Sequence, residues 1–186
     1  MALAPTLWRT CRVLANDARL RCFAAVVNHP GAPVGGVARV AGIPLCLASL
    51  YLRQIQARGL LQATRVSRWV YYAAEADASV AHASAVLAAL RQCALRRADD
   101  RTAVIRVLTA FTHPRRLTLL AEIGRRGPCV TGDLPRATGI SRKALERHLR
   151  KLAARGLIAG TPSGWMVVQP DDPLAAALLT ATGARG

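Results

Sequence analysis

The chain contains an internal repeat. When the sequence is aligned with itself at an offset of 97 residues, positions 14–61 match positions 111–158 without a gap. Most mismatched pairs keep their apolar character, and the identical pairs include Arg19/Arg116, Leu20/Leu117, Gly42/Gly139 and Leu52/Leu149. Because solenoid repeats have shorter periods, this register predicts two copies of one fold. We expect one domain over residues 1–76 and a second over residues 100–186.

The helix signals occur in the same order in both copies and are clearest in the second. Apolar residues at helical spacing predict a helix over 115–124. We predict that Thr131 is the N-cap of a short helix over 132–138. After a turn at Gly139, we expect Ser141 to cap a helix over 141–155. This helix is expected to end before Gly156, because glycine commonly follows the last residue of a helix.

Each copy ends in a predicted hairpin. The tail of the second copy reads "LIAGTPSGWMVV", in which Trp165 is expected to pack the hairpin. The tail of the first, "LLQATRVSRWVYY", is longer and places Arg65 and Arg68 near its tip. Helix, helix, glycine turn, helix and hairpin together make a winged helix-turn-helix. The predicted fold class is therefore mainly α with small β-hairpin wings (α+β), as tandem winged helix-turn-helix domains joined by a connecting helix.

The segment between the copies, 77–99, is rich in alanine. Val80, Leu87 and Ala94 recur at heptad spacing, which makes a narrow apolar stripe suited to close helix packing. We predict that this connecting helix lies where the two copies meet, with "DDPLAAALLTAT" as its shorter counterpart. The chain is then either a monomeric pseudo-dimer or one subunit of a homodimer.

Several segments resemble the ArsR-type winged-helix repressors. "VLANDARLRCF" and "AFTHPRRLTLL" look like the opening helix of that family, "ATGISRKALERHLRKLAARGLI" resembles its helix-turn-helix, and "RWVYY" resembles its wing strand. The similarity covers residues 12–76 and 106–168, although related winged-helix families share the same pattern. It implies sequence-specific DNA binding and transcriptional repression, often released by an effector, in a family whose members are usually homodimers of single copies.

The sequence departs from the metal-sensing members of that family. Those members carry a Cys pair on the helix before the turn, or Asp and His ligands on the terminal helix. Here the first location reads "VGGVARVAG" and "TGDLPRATG", and the linker keeps only Asp77 and His82. Since a metal site needs three or four suitably spaced ligands, we expect no metal and no other cofactor.

Charge narrows the choice of partner. The net charge is +16 over 186 residues, which favours a polyanion such as double-stranded DNA, although a membrane surface or an acidic protein would satisfy the same electrostatics. No apolar run approaches the roughly 18–20 residues that span a bilayer, so no membrane partner is expected. Five cysteines without a CxxC pair indicate reduced thiols and a cytoplasmic location.

The basic side chains concentrate on the helix 141–155. One stripe is expected to face the core: Ala144, Leu145, His148, Leu149 and Leu152. Because the first two turns of a recognition helix contact bases, the candidate base readers are Arg142, Lys143, Glu146 and Arg147. Glu146 either accepts from cytosine or pairs with Arg142 or Arg150. The candidate phosphate contacts are Thr131, Arg136, Ser141, Arg150, Lys151 and Arg155. An ordinary solvated helix face is the alternative.

The matching helix of the first copy lacks this charge. It offers Leu45, Cys46 and Leu50 in place of the basic side chains, and an exposed apolar cluster often marks a protein contact. Its remaining phosphate candidates are Arg53, Arg58, Arg65 and Arg68. We predict that the first copy is degenerate for base recognition and is either a phosphate clamp or a docking surface.

The predicted function is that of a DNA-binding transcriptional regulator, a repressor, reading DNA mainly with the helix 141–155. Two alternatives stay open: a tandem winged-helix scaffold that binds protein, and a nonspecific nucleoid-type DNA binder. We do not expect an enzyme, because the sequence offers no convincing carboxylate pair, Gly-rich phosphate loop or nucleophile motif.

Overall fold

The computed structural model describes residues 5–93 and 95–184. Within that part of the chain the fold is mostly helical, with two small hairpins, consistent with a winged helix-turn-helix. The first half contains α1 (Leu7–Leu14), α2 (Asp17–Asn28), α3 (Val34–Ala41), α4 (Leu45–Gln56), β1 (Gln62–Val66), β2 (Trp69–Ala73) and α5 (Ala83–Gln92). The second half contains α6 (Ala98–Leu108), α7 (Pro114–Arg126), α8 (Leu134–Thr138), α9 (Arg142–Ala153), β3 (Ile158–Thr161), β4 (Gly164–Val167) and α10 (Pro173–Ala181).

The helix pairs α3–α4 and α8–α9 have matching turns. Helices α4 and α9 begin and end 97 residues apart, at the offset of the sequence repeat. Gly42 and Gly139 lie at the C-caps of α3 and α8 with φ of 63° and 66°, a left-handed conformation that favours glycine. The axes of α3 and α4 meet at 104°, within the roughly 90–120° of helix-turn-helix pairs.

Each hairpin is a separate two-stranded antiparallel sheet, β1 with β2 and β3 with β4. The first hairpin is the longer one, as predicted, and Ser67 and Arg68 form its tip. An isolated bridge joins each hairpin to the segment before the helix-turn-helix, through Pro33 and Tyr71 in the first half and Cys129 and Trp165 in the second. These bridges hold the wings against the helices.

Two helix boundaries differ from the prediction. The N-cap of α8 is Asp133, not Thr131, because α8 begins only at Leu134, with a proline in its first turn where the missing N–H costs nothing. The Thr131 hydroxyl instead accepts a hydrogen bond from Trp165 Nε1 at 3.0 Å. Ser141 does occupy the N-cap position of α9, but its side chain makes no capping hydrogen bond, and α9 ends at Ala153.

The connecting helix predicted over 77–99 is shorter in the structure. Asp77 Oδ1 accepts a hydrogen bond from the backbone N–H of Ser79 at 2.9 Å, a local turn that competes with helix formation. Helix α5 therefore starts only at Ala83. Val80 and Leu87 are buried, as the heptad stripe predicts, whereas Ala94 lies outside the described residues.

The two halves contact each other within this one chain. Helix α5 packs against α10, and both α1 and α2 contact α6. Val86 and Leu90 of α5 belong to the same continuous apolar cluster as Leu174 and Leu178 of α10. Burial of a side chain of this size stabilises a fold by roughly 1.5–3 kcal/mol. Helices α5 and α10 thus form one surface on which the two halves of the chain pack.

A buried arginine adds a polar contact between the halves. Arg101 of α6 is 9% exposed and donates from Nε to Asp17 Oδ1 at 2.6 Å. Its Nη1 donates to the carbonyl oxygens of Leu95 and Arg96. The same Asp17 carboxylate pairs with Arg21, and the hydrogen bond from Arg101, aided by both positive charges, lowers the pKa of Asp17.

We expect Asp17→Asn to lower the free energy of unfolding by about 1–2 kcal/mol, because Arg101 loses a charged acceptor. A urea titration at neutral pH measures the loss, with the exposed Asp171→Asn as the matched control. Because folding lowers the pKa of Asp17 from 3.8, this contribution is present above that pH and is lost as the pH falls through the folded value. A difference between wild type and variant that persisted in strong acid would contradict the explanation.

Candidate nucleic-acid interface

Helix α9 is amphipathic, as the sequence predicts. Its buried side chains are Ala144, Leu145, His148, Leu149 and Leu152, so the predicted core stripe is confirmed. The opposite face is exposed and consists of Arg142, Lys143, Glu146, Arg147, Arg150 and Lys151. The helix is therefore held to the body of the protein by one side and presents charged groups on the other.

The four predicted base readers lie in the first two turns of α9. All four are exposed, and none of the ion pairs among the described residues involves them. The alternative pairing of Glu146 with Arg142 or Arg150 is thus not seen in that part of the chain. An arginine fork matches guanine O6 and N7, and a carboxylate matches cytosine N4. This end of α9 presents the chemistry that a major-groove contact requires.

Most phosphate candidates of the second half lie at the surface: Arg136, Ser141, Arg150 and Lys151 are exposed. Thr131 is half-buried, and its hydroxyl accepts the hydrogen bond from Trp165. Partial burial, with the nearby charges of Arg116 and Arg155, lowers the pKa of Lys151. The exposed members of this set are free to turn towards a phosphate.

Arg155 differs from the other phosphate candidates. It is half-buried and donates from Nε to the carbonyl oxygen of Arg106 at 3.1 Å, and from Nη2 to Thr109 Oγ1 at 3.3 Å. These bonds fasten the C-terminal end of α9 to α6. Arg155 therefore has a structural role that the sequence did not predict.

Trp165 packs the second hairpin. Its backbone N–H and C=O each pair with the backbone of Cys129 at 2.8 Å, and its half-buried indole donates to Thr131. The ring is therefore part of the junction between β4 and the segment before α8.

Helix α4 presents an apolar end to solvent. Leu45 and Leu50 are 59% and 41% exposed, and Cys46 is exposed beside them. Leu47 adds a further partly exposed side chain. All three residues predicted to contact protein therefore lie on the surface, at positions equivalent to the basic ones of α9.

Three phosphate candidates of the first half, Arg53, Arg65 and Arg68, are also exposed, whereas Arg58 is half-buried. Arg53 Nε donates to the carbonyl oxygen of Ser49 at 3.3 Å, and Arg65 Nε to that of Ser67 at 3.3 Å. The guanidinium carbon of Arg68 lies 5.3 Å from the centroid of the Trp69 ring, within reach of a cation–π interaction. These three arginines extend the basic surface from α4 to the first wing.

The described residues, 5–93 and 95–184, contain no group of three His, Cys, Asp or Glu side chains that could hold a metal ion. No single helix in the described residues is long and apolar enough to cross a bilayer. Helices α3 and α4, which meet at 104°, together have the length and the apolar composition of a span.

A pair of histidines lies under the basic face of α9. His148 is 3% exposed, and its ring centroid is 4.7 Å from that of His113. His113 is the N-cap of α7, where its Nδ1 accepts from the backbone N–H of Arg115 at 3.2 Å. Burial first, and then the charges of His113, Arg116, Arg147 and Arg115, lower the pKa of His148 to about 4.

We expect acid to destabilise the fold through His148. Because its folded pKa lies below the ordinary value of 6.5, the unfolded chain binds more protons between these values, and stability falls as the pH drops from 6.5 towards about 4. His148→Leu removes the titrating ring, so its urea midpoint should depend less on pH over that range. Identical pH profiles for wild type and variant would rule out this role.

Arg116 is a residue near the site that sequence reasoning missed. It is 5% exposed and donates to the carbonyl oxygens of Thr109 and Ala110, which ties the start of α7 to the end of α6. The repeat keeps arginine at both Arg19 and Arg116. It also keeps exposed arginines at Arg39/Arg136 and Arg53/Arg150, so this pattern alone does not separate a structural arginine from a surface one.

Comparison with known proteins adds two matches. Residues 113–159, which span α7 to the start of β3, match the model of the bacterial regulatory proteins of the arsR family. A segment of 52 residues is 36% identical to the HTH-type transcriptional regulator YgaV of Escherichia coli (strain K12), covering 28% of this chain and 52% of that relative. The chain thus spans about half the length of that protein. No solved structure gives a match. Residues 113–159 are therefore similar to the helix-turn-helix of arsR-family regulators, which supports a DNA-binding transcription regulator.

Proposed function

We propose that this protein is a sequence-specific transcriptional repressor that reads double-stranded DNA mainly with α9. The observation that carries the proposal is the exposed charged face on the first two turns of α9, directly after the turn at Gly139. In helix-turn-helix proteins those turns enter the major groove. The face also lies within the region that matches the arsR-family model, and the net charge of +16 attracts a polyanion.

We further infer that the chain acts as a fused pseudo-dimer of two winged helix-turn-helix copies, over 1–76 and 100–186. The equal spacing of α4 and α9 and the packing of α5 on α10 support this arrangement. The recognition helices of such a pair lie about 34 Å apart, one turn of B-DNA. Because α4 is apolar and α9 is charged, the preferred DNA target is asymmetric.

Fluorescence anisotropy against labelled fragments of the source genome, from roughly 50 to 200 mM salt, tests the proposal. We expect tight binding to few fragments and a steep loss of affinity with salt, because phosphate contacts release counterions. Equal affinity for all fragments would indicate a nonspecific nucleoid-type binder instead. Absence of binding at the lowest salt would overturn the DNA-binding proposal.

The sign of regulation has its own test. A promoter fragment selected by the binding assay is placed before a reporter gene, with and without this protein. Repression predicts a lower reporter signal when the protein is present. A higher signal would make the protein an activator.

A second candidate function, docking of a protein partner on α4, is favoured by the exposure of Leu45 and Leu50. If these side chains dock protein, Leu45→Ser/Leu50→Ser should change DNA affinity and stability by no more than about twofold and about 0.5 kcal/mol. Anisotropy and urea titration measure both quantities. Leu52→Ser, at a fully buried position of the same helix, is the control that should destabilise. Loss of DNA affinity in the double variant would mean that α4 contacts DNA.

A further inference from the structure

A cleft of about 660 Å³ lies between α1, the start of α2 and the C-terminal half of α4, a volume typical of small-ligand sites. Half of its lining residues are arginines, namely Arg9, Arg12, Arg19, Arg53 and Arg58, and none is acidic. Trp8, Val13 and Leu50 add apolar surface. Five like charges around one cleft repel each other, so an anion bound there would be stabilised.

Polar atoms of the cleft lack partners. Nε of Arg19 and Nε of Arg58 are buried donors without a hydrogen-bond partner in the part of the chain that the structure describes. Buried donors in native proteins are nearly always bonded. Burial, together with the charge of Arg9, also lowers the pKa of Arg58. An oxyanion accepts hydrogen bonds from guanidinium groups and offsets their charge.

In the second half, the arginine equivalent to Arg58 makes its hydrogen bonds within the protein. At the offset of 97 residues, Arg58 corresponds to Arg155 and Arg12 corresponds to Thr109. Arg155 donates to Thr109 Oγ1 and to a carbonyl oxygen of α6. In the first half the hydroxyl acceptor is replaced by another positive charge, and no described residue accepts from Arg58 Nε. The first half therefore has a cationic cleft at the place where the second half has an internal hydrogen-bond acceptor.

We propose that this cleft binds a small organic anion, with a phosphate or carboxylate group joined to an apolar or aromatic body. Arg9, Arg12 and Arg58 hold the anionic group, and Trp8 and Leu50 contact the body. Helix α1 also contacts α6 of the other half, and α4 carries the first helix-turn-helix face. A ligand in this cleft would contact α1 and α4 at once, as an effector that regulates DNA binding would need to do. That regulatory role rests on the proposed function, whereas the binding of the anion does not.

Isothermal titration calorimetry of the full chain with phenyl phosphate, in the absence of DNA, tests the site. We expect saturable binding that Arg58→Gln weakens about tenfold, the loss of one charge-assisted hydrogen bond. Arg106→Gln, which corresponds to Arg9 at the offset of 97 residues and lies outside the cleft, is the matched control and should bind as wild type does. Arg12→Thr supplies the hydroxyl found in the second half, so it should weaken binding without lowering the urea midpoint. No saturable binding to wild type, or equal losses in Arg58→Gln and Arg106→Gln, would overturn the site.

A backbone phosphate of DNA is an oxyanion too, and a second measurement separates the two sources. A small-molecule site predicts that Arg58→Gln leaves the salt dependence of DNA binding unchanged, while phenyl phosphate shifts the DNA affinity of wild type. A shallower salt slope in Arg58→Gln, with no calorimetric binding of the probe, would assign these arginines to DNA and overturn the proposal. Since calorimetry needs no DNA, failure of the DNA-binding proposal would leave its result unchanged.

Discussion

Arg142→Ala/Arg147→Ala is expected to abolish the selective recognition of DNA. Both side chains are exposed in the first two turns of α9, and an arginine that forks onto guanine contributes about 1–3 kcal/mol of discrimination. Removing two should weaken binding to the preferred fragment about 30-fold to about 10⁴-fold. Affinity for unrelated DNA should fall much less, because the exposed Arg150 and Lys151 remain for phosphate contacts. Anisotropy on preferred and unrelated fragments at one salt concentration measures the ratio.

Loss of charge alone needs a matched control. Arg96→Ala/Arg97→Ala removes two positive charges from exposed side chains between α5 and α6. That variant should bind all fragments slightly more weakly and keep the preference of wild type. If the Arg142/Arg147 variant also kept its preference and lost affinity equally for every fragment, those arginines would contact phosphates and not bases.

Gly164→Ala is expected to destabilise the second hairpin by about 3 kcal/mol or more. Gly164 has a φ of 122°, a backbone conformation that residues with a side chain rarely adopt. A Cβ atom there would overlap the carbonyl group of Cys129, and would lie 2.8 Å from the backbone nitrogen of Val130. Relief of that overlap requires the backbone at Gly164 and Cys129 to move apart, and we expect this movement to break the two backbone hydrogen bonds between Cys129 and Trp165. The substitution should therefore separate the wing from the helices.

Urea unfolding measures this loss, and Gly160→Ala in the partner strand is its control. A Cβ atom at Gly160 would meet its nearest neighbour, a carbon of the Trp165 ring, at 3.8 Å, an ordinary contact. We expect Gly160→Ala to change the free energy of unfolding by less than about 1 kcal/mol. Similar midpoints for the two variants would show that the close approach of Gly164 to Cys129 is not required for stability.

Local patterns predicted much of the candidate site. Helical spacing identified the buried stripe of α9, and the glycines at 42 and 139 identified turns that have left-handed φ in the structure. The same spacing placed Leu45 and Leu50 on the surface of α4, where the structure has them. These features depend on residues within a turn or two of each other, so the sequence contains the information directly.

Other features depend on which residue of a distant element comes close. The predicted N-cap of α8 was wrong because the Thr131 hydroxyl binds Trp165, 34 positions away in the chain. The predicted connecting helix was too long for a local reason, the turn that Asp77 forms with Ser79. The structural role of Arg155 depends on its hydrogen bond to the carbonyl oxygen of Arg106 in α6, which is 49 positions away in the chain.

The sequence by itself determined that this chain repeats one pattern at an interval of 97 residues, and that only the second copy carries a basic helix face. Only the tertiary structure decided how the halves meet, through α5 on α10 and through Arg101 on Asp17, which are 84 positions apart. It alone also brought the arginines of α1 and α4 around one cleft. The physical reason is that periodicity and capping are local properties, whereas burial and the pairing of charges depend on which surfaces come together.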